Sequence, residues 1–178
     1  MKTSELAVKT QSFNQILDNS KMGGKGLQSN TMKEFDLIVI GSGSGLDVAS
    51  GLAKRGKNVA IIEPGRVGGT CLNRGCIPSK MLIHRADLTK EIKESEKFGL
   101  HANIEKIDFE DIIEEINNEV HNESDKIEKG LKNSDRHILY QEECRFADEK
   151  VLELKNSGKK ITSEKIVIAA GSRPFIPP

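Results

Sequence analysis

The sequence predicts a protein of the α/β class, with a parallel sheet, flanking helices and a small antiparallel β-meander. Three observations predict it. Residues 35–40 contain a short, continuous apolar run that ends in glycines, as is typical of a buried parallel strand. A helix and a second strand follow within about 30 residues, the length of a strand–helix–strand unit. The last third of the chain alternates short strand-like runs with turn residues.

The individual elements follow from the same patterns. A helix over residues 46–55 is rich in small and apolar side chains and ends at Gly56, a natural stop, before a strand over 59–62. Two longer helices are predicted over 81–97 and 108–131, the second from apolar residues at three- and four-residue steps. The predicted strands of the last third are 138–146, 151–154, 160–161 and 166–169, with a hairpin turn at Gly158.

The two ends of the chain differ from its middle. Residues 1–33 contain few large apolar groups and a loose glycine stretch, so we expect a disordered tail, with a cleavable presequence as the alternative. The folded part is expected over residues 34–178. Its last residues, 174–178, form an extended proline-rich segment that is typical of a linker, so we expect more chain to follow it.

Composition excludes several classes of partner. The 27 basic and 27 acidic residues cancel, and no basic cluster is interleaved with aromatic residues, so no nucleic-acid partner is expected. No apolar run is long enough for a membrane span, and the amino terminus lacks the apolar core of a secretory signal. We therefore expect a cytoplasmic protein without a membrane partner.

A glycine-rich turn follows the first predicted strand. Gly41 permits the tight turn, and Gly43 lets the backbone approach a pyrophosphate, which the free N–H groups and the dipole of the next helix stabilise. Glu63 ends the second strand about 20 residues later, where a carboxylate accepts hydrogen bonds from ribose hydroxyls. Leu46 departs from the fingerprint, which has a third glycine there. The arrangement predicts a dinucleotide-binding turn.

Two cysteines, Cys71 and Cys76, lie in the run GGTCLNRGCIPSK at residues 68–80. In a regular helix the second Cα would rise about 7.5 Å from the first and turn away, which is too far for a disulfide, so the intervening stretch must be a loop or a distorted turn. Gly75 gives that freedom. A close pair in a reducing compartment is typically catalytic or metal-binding, and half of a zinc site remains open as the alternative. Cys144 is expected to be an inert buried thiol.

With these motifs in this order, residues 34–178 resemble the flavin-dependent pyridine nucleotide-disulfide oxidoreductases. A third match is the run IVIAAGSRP at residues 166–174, which is similar to the strand and glycine turn near the flavin, with Ala170 where threonine is usual. Within the family, the sequences of these motifs most resemble those of dihydrolipoamide dehydrogenase and mycothione reductase. The resemblance implies the N-terminal part of a Rossmann-like FAD-binding domain.

The resemblance also implies roles for individual residues. Cys71 would be the interchange thiol that forms a mixed disulfide with substrate, Cys76 the charge-transfer thiolate beside the flavin, and Lys80 the cation that approaches the flavin ring. These three are the implied catalytic residues. The implied FAD contacts are Gly41, Gly43, Ser44, Gly45, Glu63, Gly69, Thr70, Cys71, Cys76, Lys80, Ala170 and Gly171.

Other parts of such an enzyme are not found in this sequence. It contains no second glycine fingerprint for NAD(P) and no C-terminal interface domain, so NAD(P) would bind a domain outside this chain. The implied full-length protein is a homodimer in cell redox homeostasis that acts on a small thiol or disulfide or a lipoyl-type substrate. Two hypotheses stay open: a fragment of a flavoprotein oxidoreductase, inactive by itself, or a non-catalytic flavin-binding module that senses redox state. The substrate and the choice of NAD or NADP are not predicted.

Overall fold

The computed structural model describes residues 32–173 and 175–177. Its four α-helices are α1 (Gly45–Ala53), α2 (Gly69–Arg74), α3 (Cys76–Glu94) and α4 (Phe109–Lys132), and a 3₁₀ helix spans Ser95–Phe98. Its eight strands are β1 (Lys33–Phe35), β2 (Leu37–Ile40), β3 (Val59–Ile62), β4 (His137–Tyr140), β5 (Cys144–Asp148), β6 (Val151–Leu154), β7 (Lys160–Ser163) and β8 (Ile166–Ile168).

Four parallel strands form the central sheet in the order β4-β3-β2-β8. All four residues of β3 are buried, as are the first three of β2, which explains their continuous apolar sequence. The chain runs from β2 to neighbours on opposite sides, first to β3 and later to β8. The carboxyl end of β2 is therefore a topological switch point, where ligands bind in open α/β sheets.

The second sheet has the order β1-β7-β6-β5, and β5, β6 and β7 form an antiparallel meander. One face of the central sheet packs on this meander through a buried apolar cluster that includes Ile38, Ile62, Leu152, Leu154 and Ile161. The opposite face of the central sheet packs against α1 and α4. The predicted fold class, with its parallel sheet, flanking helices and meander, is confirmed.

Three predicted elements differ from the observed ones. The apolar run 35–40 is divided at Asp36, whose carboxylate accepts hydrogen bonds from the Asn58 N–H at 2.8 Å and the Lys57 ammonium at 3.1 Å. The strand predicted over 138–146 is two strands, because the chain leaves the central sheet after β4 and enters the second sheet at β5. The helix predicted from residue 81 begins at Cys76, since Pro78 fits its first turn.

The amino-terminal prediction falls mainly outside the described residues. The disordered tail was expected over residues 1–33, of which the structure describes only 32 and 33, and Lys33 already belongs to β1. In the described part of the chain, no helix has the length and apolarity needed to cross a membrane.

Candidate functional site

A cleft of about 1120 Å³ lies at the carboxyl ends of the parallel strands. The loops that follow β2, β3, β4 and β8 all contribute to its walls, together with the turn that leads into α2. This is the place that the strand order marks for a ligand. Its volume is slightly above the about 300–1,000 Å³ of typical ligand pockets, which leaves room for a large cofactor.

The glycine turn after β2 is in close contact with the loop after β8. Gly41 has φ +100°, and a side chain there would overlap the carbonyl oxygen of Ala169. Gly43 differs, because an added Cβ would make only ordinary contact, at 3.6 Å from the Gly69 Cα. The fold itself therefore requires glycine at 41, whereas glycine at 43 leaves space on the cleft side.

Ser42 connects the glycine turn with Glu63. It is 1% exposed, and the Glu63 carboxylate accepts hydrogen bonds from its N–H at 3.1 Å and its hydroxyl at 2.8 Å. The other oxygen of Glu63 accepts the Gly65 N–H at 2.9 Å, and the Ser42 hydroxyl accepts the Gly68 N–H at 3.1 Å. These bonds fix the Glu63 carboxylate at the cleft and still leave it lone pairs for a ligand.

The amino end of α1 supplies donors to the cleft. Within residues 32–173, the N–H groups of Gly43 and Ser44 donate to no protein acceptor. Both residues line the cleft in front of α1, where the helix dipole favours negative charge. Unpaired donors, a side-chain-free Gly43 and a fixed carboxylate together fit the adenosine diphosphate half of FAD.

The two thiols lie on consecutive helices that Gly75 separates. Cys71 is in α2, Cys76 begins α3, and Gly75 between them has φ −131° and ψ −112°, which interrupts the helix. An added Cβ at Gly75 would lie 3.0 Å from the Thr70 carbonyl oxygen, so the chain turns back closely against the segment that carries Cys71. The prediction that this stretch is not one regular helix is confirmed.

Both cysteines are exposed free thiols in this structure. The pKa of Cys71 is raised, chiefly by the hydrogen bond between its thiol and that of Cys76, while the positive charge of Lys80 opposes the rise. Because a thiolate is the reactive form of cysteine, a raised pKa makes the Cys71 thiol less reactive.

The turn that leads into α2 is held by two side chains that sequence patterns did not single out. Asn73 Nδ2 donates to the carbonyls of Gly69 at 2.9 Å and Val67 at 3.1 Å. The buried Ser124 hydroxyl of α4 also donates to Val67, at 2.7 Å. The sequence could have indicated Ser124, because this polar residue lies four residues after Val120, on the apolar face of the helix, where a buried hydroxyl needs a partner.

Most of the predicted site residues line the cleft: Gly41, Gly43, Ser44, Glu63, Gly69, Thr70, Cys71, Ala170 and Gly171. Gly45 is instead the buried first residue of α1, and Cys76 and Lys80 are not among the residues that line the cleft. The lining residues that the sequence did not indicate include Ser42, Arg66, Asn73, Arg74, His121, Glu143, Cys144 and Arg173.

Cys144 differs from the expected buried thiol. It begins β5, is half-buried and lines the cleft, and burial raises the pKa of its thiol. A raised pKa lowers its reactivity, as expected for a thiol without a redox role. No group of three or more His, Cys, Asp or Glu side chains suited to a metal ion occurs in the part of the chain that the structure describes.

Comparisons with known proteins agree with this geometry. The family model described as "Pyridine nucleotide-disulphide oxidoreductase" matches residues 35–178. Mycothione reductase of Mycobacterium tuberculosis is 35% identical over 153 residues, which cover 83% of this chain and 33% of that protein. The soluble pyridine nucleotide transhydrogenase of Escherichia coli is 37% identical over 149 residues, covering 81% of this chain and 32% of that protein.

A solved structure shows the same fold. The Cu(II) complex of the HOCl-induced flavoprotein disulfide reductase RclA from Escherichia coli superposes with a TM-score of 0.64 at 30% identity. The match covers 80% of this chain and 29% of that one. The chain spans about a third of the length of the curated relatives it matches. Over the matched residues 35–178, the chain belongs to the pyridine nucleotide-disulphide oxidoreductase family.

Proposed function

We propose that this chain is the FAD-binding and thiol-bearing part of an FAD-dependent dithiol/disulfide oxidoreductase. The observation that carries the proposal is that Cys71, which contacts Cys76, lines the same cleft as the glycine turn and Glu63. One thiol of the proposed redox pair and the proposed dinucleotide site thus line one cavity. Bound FAD would supply a two-electron carrier between a nicotinamide and the thiols.

Specific residues are proposed to hold the cofactor. The unpaired N–H groups of Gly43 and Ser44 would bind the pyrophosphate, and Glu63 would accept the ribose hydroxyls. Thr70 and Gly171 line the cleft elsewhere and would contact the remainder of the cofactor. Lys80 would place its positive charge near the flavin ring, although it lies outside the set of cleft-lining residues.

The proposed chemistry of the thiol pair is a two-electron exchange. When Cys71 and Cys76 form a disulfide, the S–S bond forms, two electrons pass to the acceptor, and the two thiol protons are released. The reverse reaction opens the disulfide and returns both thiols. The break at Gly75, where the chain turns back against the segment that carries Cys71, supports this exchange.

Two observations bear on which thiol has which role. The raised pKa of Cys71 argues against Cys71 as the charge-transfer thiolate. The position of Cys71 on the cleft wall favours the opposite assignment. Absorbance of the reduced, FAD-loaded protein separates them: we expect the long-wavelength thiolate band to disappear in Cys76→Ser and to remain in Cys71→Ser. The reverse result would exchange the two roles.

The finer properties of the full protein are proposals by analogy with its relatives. We propose NAD(P) as the partner nucleotide on a separate domain, a small thiol, disulfide or lipoyl-type substrate, a homodimeric cytoplasmic enzyme, and a part in cell redox homeostasis. The relative named mycothione reductase supports a disulfide substrate. The 178-residue chain alone is expected to turn over no substrate with NADH.

The exposure of both thiols favours a second candidate, a flavin-binding module that senses redox state without turnover. The test is to reconstitute the chain with FAD, titrate it with dithiothreitol and NADH, and follow flavin absorbance together with free thiols. Bleaching by dithiothreitol without NADH turnover supports a working redox centre. Measuring NADH-dependent turnover of the protein read through beyond residue 178 then separates enzyme from sensor. Failure to bind FAD would contradict both candidates.

A further inference from the structure

The side chain of Asn73 folds back from α2 over the turn at residues 66–69. Its amide nitrogen donates to the Gly69 carbonyl at 2.9 Å and the Val67 carbonyl at 3.1 Å, with a longer contact to the Arg66 carbonyl at 3.4 Å. A carboxamide has two N–H donors, and the two shorter bonds use both. Both N–H donors of the Asn73 side chain are therefore used by the backbone of this turn.

The turn itself is fixed to the body of the domain. The side chain of Val67 is fully buried, and its carbonyl also accepts the Ser124 hydroxyl from α4. The Gly68 N–H donates to the buried hydroxyl of Ser42, and the backbone of Gly69 lies directly against that of Gly43. The turn is therefore anchored from the sheet side and from α4.

The helix that carries Cys71 has few other anchors. α2 is six residues long and contains no buried residue, and a helix this short is not stable by its own hydrogen bonds. Two α2 side chains reach the anchored turn: the half-buried Leu72 packs on Gly68, and Asn73 supplies the side-chain hydrogen bonds. It lies between Cys71 and the break at Gly75.

We propose that Asn73 is a positioning residue of the thiol pair, which holds Cys71 in reach of Cys76 by locking α2 onto the turn at residues 66–69. The proposal rests on the proposed function in one respect, that the Cys71–Cys76 pair is the redox centre. It requires no bound flavin, since every contact in it belongs to this chain. Asn73 touches no reacting atom and acts through the position of Cys71.

The property that such a residue controls is the equilibrium of the disulfide. The Cys71 and Cys76 thiols react with glutathione disulfide to give the intramolecular disulfide and two glutathione thiols, so two protons and two electrons pass to glutathione. The equilibrium constant measures the effective concentration of one thiol at the other, which is high when both positions are fixed. Losing both Asn73 bonds should lower that constant about tenfold.

The experiment uses the full 178-residue chain without flavin, equilibrated in glutathione redox buffers and analysed by mass spectrometry after acid quenching. Asn73→Ala is compared with the wild type and with Asn122→Ala, the same truncation at an exposed position of α4. Circular dichroism and the thermal midpoint report folding separately. We expect an about tenfold lower disulfide equilibrium constant in Asn73→Ala and an unchanged one in Asn122→Ala.

The outcomes separate this proposal from the proposed function. If the wild type forms no Cys71–Cys76 disulfide, the proposed redox function fails. If the wild type forms it and a folded Asn73→Ala gives the same equilibrium constant, the positioning role is overturned, even if the thermal midpoint falls. If Asn73→Ala does not fold, the same measurement is made on Asn73→Ser, which keeps one hydroxyl donor. A disulfide equilibrium constant equal to that of the wild type would again overturn the positioning role.

Discussion

The two walls of the cleft are built differently. The nucleotide wall consists of loops that leave fully buried strands, and its central side chain, Ser42, is 1% exposed. The thiol wall is formed by α2, which lines the cleft, and continues outside the cleft into α3; neither helix contains a buried residue. The fold therefore fixes the position of the nucleotide-binding groups, whereas the thiols depend on a few hydrogen bonds and on each other. A redox centre at an exposed wall remains open to a second reactant.

The largest expected effect tests the rigidity of the nucleotide wall. Gly41→Ala forces a side chain into a backbone with φ +100° and onto the Ala169 carbonyl. Strain and overpacking together should lower the free energy of unfolding by about 2–5 kcal/mol in urea titrations.

Gly51→Ala is the matched control, because nothing lies within 4 Å of an added Cβ in that exposed helical position. It should stabilise by about 0.5–1 kcal/mol. Equal effects would show that the turn adapts and that the wall is not rigid.

A smaller effect tests the link between the glycine turn and Glu63. Ser42→Ala removes the hydroxyl that donates to Glu63 and accepts from Gly68, and it leaves both groups short of a partner. We expect a loss of about 1–3 kcal/mol in the free energy of unfolding. Ser44→Ala, in the same loop but exposed and without a side-chain capping bond, should change it by less than about 0.5 kcal/mol. A Ser42→Ala protein as stable as Ser44→Ala would refute the link.

The thiol wall is tested by reactivity, since its residues contribute little to the core. The hydrogen bond with Cys76 raises the pKa of Cys71, so Cys76→Ala should lower that pKa and increase the rate of Cys71 alkylation by iodoacetamide several-fold at pH 8. Lys80→Gln should act in the opposite direction, because the Lys80 charge lowers the same pKa. The measurement is the pH dependence of the alkylation rate of the Cys71 peptide.

The control for this reactivity test is Lys93→Gln, which removes a positive charge from the far end of the same helix. Its alkylation profile should match that of the wild type. If Cys76→Ala leaves the Cys71 profile unchanged, the two thiols do not interact in solution, and the proposed pair loses its support. A faster reaction in Lys80→Gln would show that this lysine does not stabilise the thiolate.

The middle of the central sheet was predictable from the sequence because β2 and β3 are buried on both faces and their apolar runs are continuous. The strand β3 was predicted with its observed bounds, Val59–Ile62. The strand predicted over 138–146 was wrong as a single element, because the chain changes sheet over residues 141–143, a run of three polar residues that already interrupts the apolar pattern. Asp36 divides another run in the same way, through contacts with Lys57 and Asn58 that are distant in sequence.

The site was predictable where motifs specify backbone geometry. Gly41 and Glu63 line the cleft because each directly follows a strand whose end is marked in the sequence, and Cys71 lines it from α2, which begins at the glycine pair of its motif. Ser42 and Asn73 were missed because their roles depend on hydrogen bonds to main-chain atoms, and a sequence pattern records only side chains. The FAD contacts and the catalytic roles stay predictions until a loaded protein is measured.

The smallest expected effect tests whether the thiol wall is uncovered in solution. Ile83 on α3 is 56% exposed, so Ile83→Ala should change the free energy of unfolding by less than about 0.5 kcal/mol. The same truncation at Ile38, which is fully buried in β2, should cost about 2–5 kcal/mol. If Ile83→Ala costs more than about 2 kcal/mol, another surface covers α3, since an exposed side chain cannot lose that much transfer energy. A cost that rises with protein concentration would identify a second copy as that surface, and the contrast between the two walls would then hold only for the monomer.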